Sequence, residues 1–223
     1  HSIFTDTPGW THLHLLQQCR GARIANNVVE SADLPHGLMG NADGFSIACQ
    51  DTLIEDNQIN DISGVGIVFY GGPGTEIRNN RIVLTTTSAF SGINVGDAII
   101  ANHMNVVIEN NQIIATGNRY FHIGITAGLH AWVRAEKRSV RGVTVRNNTI
   151  SGQFRYGLAV DGCPDCVVSG NQISEFRPLP AAPGCPASAP YVASVTNGHA
   201  GGSLQPGYVD AVIDDCLGPP IPE

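Results

Sequence analysis

The sequence predicts an all-β fold, a single-stranded parallel solenoid of about six coils with a C-terminal cap segment. One phrase returns six times: a β-branched residue, a turn-forming residue, an asparagine, and Val or Ile within two positions. It reads Ile24-Ala25-Asn26-Asn27-Val28, Ile54-Glu55-Asp56-Asn57-Gln58-Ile59 and Ile77-Arg78-Asn79-Asn80-Arg81-Ile82, and then Ile108-Glu109-Asn110-Asn111-Gln112-Ile113, Val145-Arg146-Asn147-Asn148-Thr149-Ile150 and Val168-Ser169-Gly170-Asn171-Gln172-Ile173. Its asparagines are 30, 23, 31, 37 and 23 residues apart, so a unit of 23 residues carries variable insertions, as stacked repeats do. A second strand led by glycine accompanies the phrase: Gly44-Phe45-Ser46-Ile47, Gly66-Ile67-Val68-Phe69, Gly92-Ile93-Asn94-Val95, Gly124-Ile125-Thr126-Ala127 and Gly157-Leu158-Ala159-Val160. Cys19 and Cys49 stand 30 apart, the same step as Asn27 to Asn57.

The residue before each asparagine (Asn26, Asp56, Asn79, Asn110, Asn147, Gly170) tolerates a left-handed backbone at a tight turn. Such a turn points the next residue inward. A buried amide needs partners for its oxygen and its nitrogen, and an identical amide about 4.8 Å away on the next coil supplies them. In this arrangement the chain resembles the right-handed parallel β-helix, the pectate-lyase-like superfamily, over roughly residues 11 to 177. Residues 1–177 are therefore expected to form the helix and 178–223 a proline-rich capping segment of the same domain.

Taken in order, residues 1 to 10 carry no periodicity, and the first coil opens with His12-Leu13-His14-Leu15-Leu16. That rung is expected to be bare. Exposed strand edges invite another chain, so the partners expected there are a second copy or an N-terminal part of a longer protein. In the second strands, alternation places Phe45, Ile47, Ile67, Phe69, Ile93, Val95, Ile125, Leu158 and Val160 inside. It places Ser46, Val68, Tyr70, Asn94, Thr126, Ala159 and Asp161 along one solvent-facing ladder. Cys19 and Cys49 each lie eight residues before their asparagine, close enough as stacked neighbours for a disulfide. Cys163 is left to pair with Cys166, Cys185 or Cys216. Six cysteines that pair point to an oxidising compartment and secretion. Asn147-Asn148-Thr149 is a glycosylation sequon with Asn147 outward.

With 223 residues, 42% hydrophobic and 14% charged, the chain can bury one sizeable core. A net charge of −7 provides no footprint for nucleic acid, and no apolar run approaches the roughly 20 residues of a membrane span. No motif compels a cofactor. Calcium is compatible through Asp43, Asp97 or Asp161, although these do not form a spaced acidic cluster.

The exposed ladder and the loops above it suit a polymer. The resemblance implies a polysaccharide partner, acidic by preference, with lyase, epimerase or glycosidase chemistry; fold alone does not fix function, and the alternative is a non-catalytic glycan-binding or structural solenoid. Asn41-Ala42-Asp43-Gly44 resembles the Asn-Thr-Asp-Gly signature of polygalacturonases. However, Ser63-Gly64-Val65-Gly66 stands where that family has paired aspartates, and hydrolysis needs two carboxyls. Lyase or epimerase chemistry needs a base near the C5 proton and a cation for the developing dianion. The base is His122 or Tyr70 and the cation Arg119 or Arg155, with Asp43 a further catalytic candidate. His36, Asn94, Asp97, His130, Trp132, Arg134, Tyr156 and Asp161 are the substrate-binding candidates. Trp132 and Arg134 belong to a basic excursion with Lys137, Arg138 and Arg141, where an aromatic and cations can meet an anionic sugar.

Overall fold

The computed structural model describes residues 1–5, 10–30, 42–96, 102–128, 140–181, 183–195, 200–211 and 216. Every regular element among them is a β-strand. A short β1 (Ile3–Thr5) precedes coils of three strands each. The coils are β2–β4 (Thr11–Arg20, Arg23–Ala25, Val28–Glu30), β5–β7 (Asp43–Gln50, Leu53–Glu55, Gln58–Asn60), β8–β10 (Val65–Phe69, Glu76–Arg78, Arg81–Leu84) and β11–β13 (Ala89–Val95, Val106–Glu109, Gln112–Ala115). β14 (Tyr120–Ala127) and β15 (Val143–Arg146) lead into β16 (Thr149–Val160), which bends from one face to the next. β17 (Val167–Ser169), β18 (Gln172–Pro178), β19 (Ala189–Ala193) and β20 (Val209–Asp210) follow. Pairing is parallel throughout. β3, β6, β9, β12, β15 and β17 form one sheet, and the other two faces join through β16.

Register stacks like on like. Ile24, Ile54, Ile77, Ile108, Val145 and Val168 align on one face, and Val29, Ile59, Ile82, Ile113, Ile150 and Ile173 on the next. Burying such a side chain contributes about 1.5–3 kcal/mol, so rows of them hold the coils together. The residues expected inside the third face are all in this core.

The amide column forms as the spacing predicts. Each Nδ2 of Asn27, Asn57, Asn80, Asn111 and Asn148 donates to the Oδ1 of the next asparagine at 2.9–3.0 Å. The residue before each of the first five sits at φ 54–57°. The column is closed at both ends. The Ser2 amide donates to Asn27 Oδ1 at 3.0 Å, and Asn171 donates Nδ2 and its backbone N–H to Gln205 Oε1 at 3.0 and 2.9 Å.

Both ends differ from expectation. The first coil is not bare, because β1 lies parallel on β4 and Phe4 packs edge-on against Phe45. β2 and β3 still have neighbours on one side only among the described residues. Nor does the winding stop at Arg177. β19 pairs in parallel with β16, bridges join Cys163 to Ala200 and Val167 to Ser203, and Gln205 takes the asparagine's place. Part of the cap segment is therefore another coil. Disulfides join Cys19 to Cys49, with Cα atoms 4.7 Å apart as stacking requires, Cys163 to Cys166, and Cys185 to Cys216.

The glycines of the third-face strands stack from coil to coil, each close to the carbonyl of the next and to an isoleucine of the core. A Cβ on Gly92 would lie 2.7 Å from the Gly124 carbonyl oxygen and 2.7 Å from Ile113 Cγ2. Gly92→Ala should therefore destabilise the protein by about 1–3 kcal/mol, the usual cost of overpacking. Urea unfolding checks this, and an unchanged midpoint would show that the column gives way freely.

Candidate functional site

On the outer side of the six-stranded sheet the charges are mutually paired. Glu55 takes both Arg23 (2.6 Å) and Arg78 (2.9 Å), and Glu109 takes Arg146 (2.6 Å). That face has its charges satisfied. The face of β5, β8, β11, β14 and β16 is different.

Its outward ladder does not face solvent. Ser46, Val68, Asn94, Thr126 and Ala159 are in register, and each is at most 1% exposed. Tyr70 and Asp161, just beyond the strand ends, are buried too. Alternation decides which side of a sheet a residue is on, but not what lies over that side. Part of the cover is the C-terminal segment, since Val192 and Cys216 join the cluster formed by Ala48, Val68, Tyr70 and Ala159. Within the ladder, Thr126 donates to Asn94 Oδ1 at 2.6 Å. Asn94 Nδ2 has no partner among the described residues.

Nearer the start of the strands, register brings together two of the predicted catalytic residues. Phe121 pairs with Phe154 and Ile123 with Tyr156, so His122 stands directly beside Arg155. On its other side, between the pairs Ala89/Phe121 and Ser91/Ile123, stands Phe90. The Phe90 ring centroid is 6.2 Å from that of His122, and Tyr120 lies edge-on to His122 at 5.3 Å. Both His122 and Arg155 are half-buried. Burial, and then the charge of Arg155, lowers the His122 pKa to about 4, since each disfavours a second cation there. His122 is neutral at physiological pH. Its Nδ1 and the Nε of Arg155 lack hydrogen-bond partners among the described residues.

Asp43 lies at the head of β5, three windings from His122, or roughly 14 Å at the usual strand spacing. Its Oδ1 accepts the Val65 amide at 2.8 Å and its Oδ2 the Ser46 hydroxyl at 3.3 Å. His12 Nδ1 bonds its carbonyl at 2.9 Å. Burial raises its pKa to about 7, against those hydrogen bonds. Its carboxylate links successive coils and has no second carboxylate in reach among the described residues.

The other candidates are dispersed. Arg119 is exposed in the turn before β14. Tyr156 is fully buried and donates to the Pro186 carbonyl at 3.1 Å. His36, Asp97, His130, Trp132 and Arg134 lie outside the described residues. Asn147 is exposed, at φ 54°. No group of three His, Cys, Asp or Glu side chains suited to a metal occurs among the described residues. Sequence reasoning missed Phe90 and Tyr120. The signal for the first was present: Phe90, His122 and Arg155 each stand two residues before the glycine of their strand.

A family model described as a right handed beta helix region matches residues 9–173. Comparison with curated proteins and with solved structures gave no match.

Proposed function

Since this chain belongs to the right-handed β-helix family, we propose that it is a secreted carbohydrate-active protein working on an acidic polysaccharide at the face of β5, β8, β11, β14 and β16. The observation that supports this is the seating of a neutral imidazole, His122, against a cation, Arg155, that no carboxylate bridges among the described residues. Arg155 binds the carboxylate of a uronate. His122 takes the C5 proton, the electron pair left behind forms C4=C5, and the C4–O bond breaks, the departing sugar oxygen gaining a proton from water. Three disulfides support an oxidising, extracellular setting, where Asn147 would carry a glycan.

Incubation with pectin, alginate and glucuronan should yield unsaturated product absorbance and new reducing ends from at least one polymer. His122→Ala should lower that rate about 100-fold or more, the usual worth of a general base. Arg155→Gln should weaken polymer binding. Silence across the three polymers refutes catalysis.

A second reading, a non-catalytic glycan-binding solenoid that stacks end to end or joins a larger protein, draws support from the buried outward ladder and the half-paired edges of β2 and β3. It predicts polymer retention without product.

A further inference from the structure

His122 presents a difficulty as it stands, because an imidazole held at so low a proton affinity is a weak base. The groups packed around it among the described residues are Phe90 on β11, Tyr120 on its own strand and Arg155 on β16. The only charge in that set belongs to Arg155. Burial lowers the affinity of His122 for a proton most, and the charge of Arg155 lowers it further. The Arg155 side chain is half-buried, and its Nε, shielded from solvent, has no hydrogen-bond partner among the described residues. An anion on Arg155, on the next strand about 4.8 Å away, would offset the charge that adds to the effect of burial on His122 and would leave the burial share in place.

We propose that the acidic sugar makes its own base: a carboxylate or sulfate held by Arg155 strengthens His122 as a proton acceptor, so that this face takes up an anion and proton affinity together. The proposal rests on the assignment of this face to an acidic glycan. Linkage makes the effect reciprocal: anion affinity rises as pH falls through the His122 titration, until the ligand itself is protonated.

The test follows the His122 ring protons of the full chain by NMR from pH 3.5 to 8, with His122→Gln identifying the signal. Titrations are run without ligand and with sodium galacturonate, sodium sulfate or neutral galactose. Galacturonate and sulfate should move the midpoint up by about one pH unit, a tenfold coupling, while galactose should not move it. Arg155→Gln should abolish the shift and Arg155→Lys should preserve it, each variant being checked for an unchanged amide spectrum. An equal shift in Arg155→Gln, or failure of both anions to bind or to move the midpoint, overturns the linkage. If polymer is cleaved without a midpoint shift, the linkage falls and the enzymatic function stands. If the midpoint shifts and no polymer is processed, the linkage holds and the catalytic assignment falls.

Discussion

Asn111→Ala should cost the fold about 3–5 kcal/mol and lower its melting temperature by about 10 °C, the largest effect expected from any single side chain of the amide column. Asn111 is fully buried. Its Oδ1 accepts the backbone and side-chain N–H groups of Asn80, at 2.9 and 3.0 Å, and its Nδ2 donates to the Ile77 carbonyl at 2.9 Å. Alanine would take a bond from four polar groups in a site closed to water, the Asn80 N–H and Nδ2, the Ile77 carbonyl and the Asn148 Oδ1, and a buried group left unpaired costs about 1–3 kcal/mol before the coils relax. A bond between two asparagines is worth little net, because water would satisfy both in the unfolded chain. The penalty comes from removing one member of a continuous column. The ends should be softer. Asn27 is only half-buried, and its oxygen meets a main-chain amide from Ser2, so Asn27→Ala should cost about 1 kcal/mol. Urea unfolding of the two variants against the parent measures the ranking. Equal, small losses would mean that the column contributes no cooperative strength.

The column was legible because its members are identical and each follows a residue suited to a left-handed turn, so spacing alone put them in phase. The two closures were not. A main-chain amide such as that of Ser2 leaves no trace in side-chain identity, and Gln205 reaches its position with a longer side chain and none of the flanking Ile or Val residues that mark the other coils. The side on which Ser46, Val68 and Asn94 lie was readable from alternation. Their burial was not, because cover depends on where distant segments such as Cys185 and Cys216 come to rest. The pairing of His122 with Arg155 was within reach by a different count. The asparagine step across these coils, from Asn111 to Asn148, is 37 residues, whereas Gly124 to Gly157 is 33, which is also the distance from His122 to Arg155. The loops absorb the difference, so each face of the solenoid keeps its own register.

Asp43→Asn should make the protein more stable above neutral pH, by about 2–4 kcal/mol at pH 8. The folded-state pKa of Asp43 is about 7 against an ordinary 3.8. Below pH 4 the carboxyl is protonated in both states and contributes nothing to the balance. Between pH 4 and 7 the unfolded chain has released the proton while the folded chain holds it, so stability falls as pH rises. Above 7 the loss levels off, and the full shift corresponds to about 4 kcal/mol. Asparagine keeps an oxygen for the Val65 amide, can donate to the Ser46 hydroxyl, and removes the buried charge. Thermal melts of both proteins from pH 4 to 8 should give curves that diverge across this window, and parallel curves would disprove the assignment. Polymer turnover measured on the same variant separates two roles for Asp43. If the carboxyl only ties coils together, Asp43→Asn gains stability and keeps its rate. If it also exchanges a proton with substrate, stability rises while turnover collapses, as expected where a strained group is retained for function.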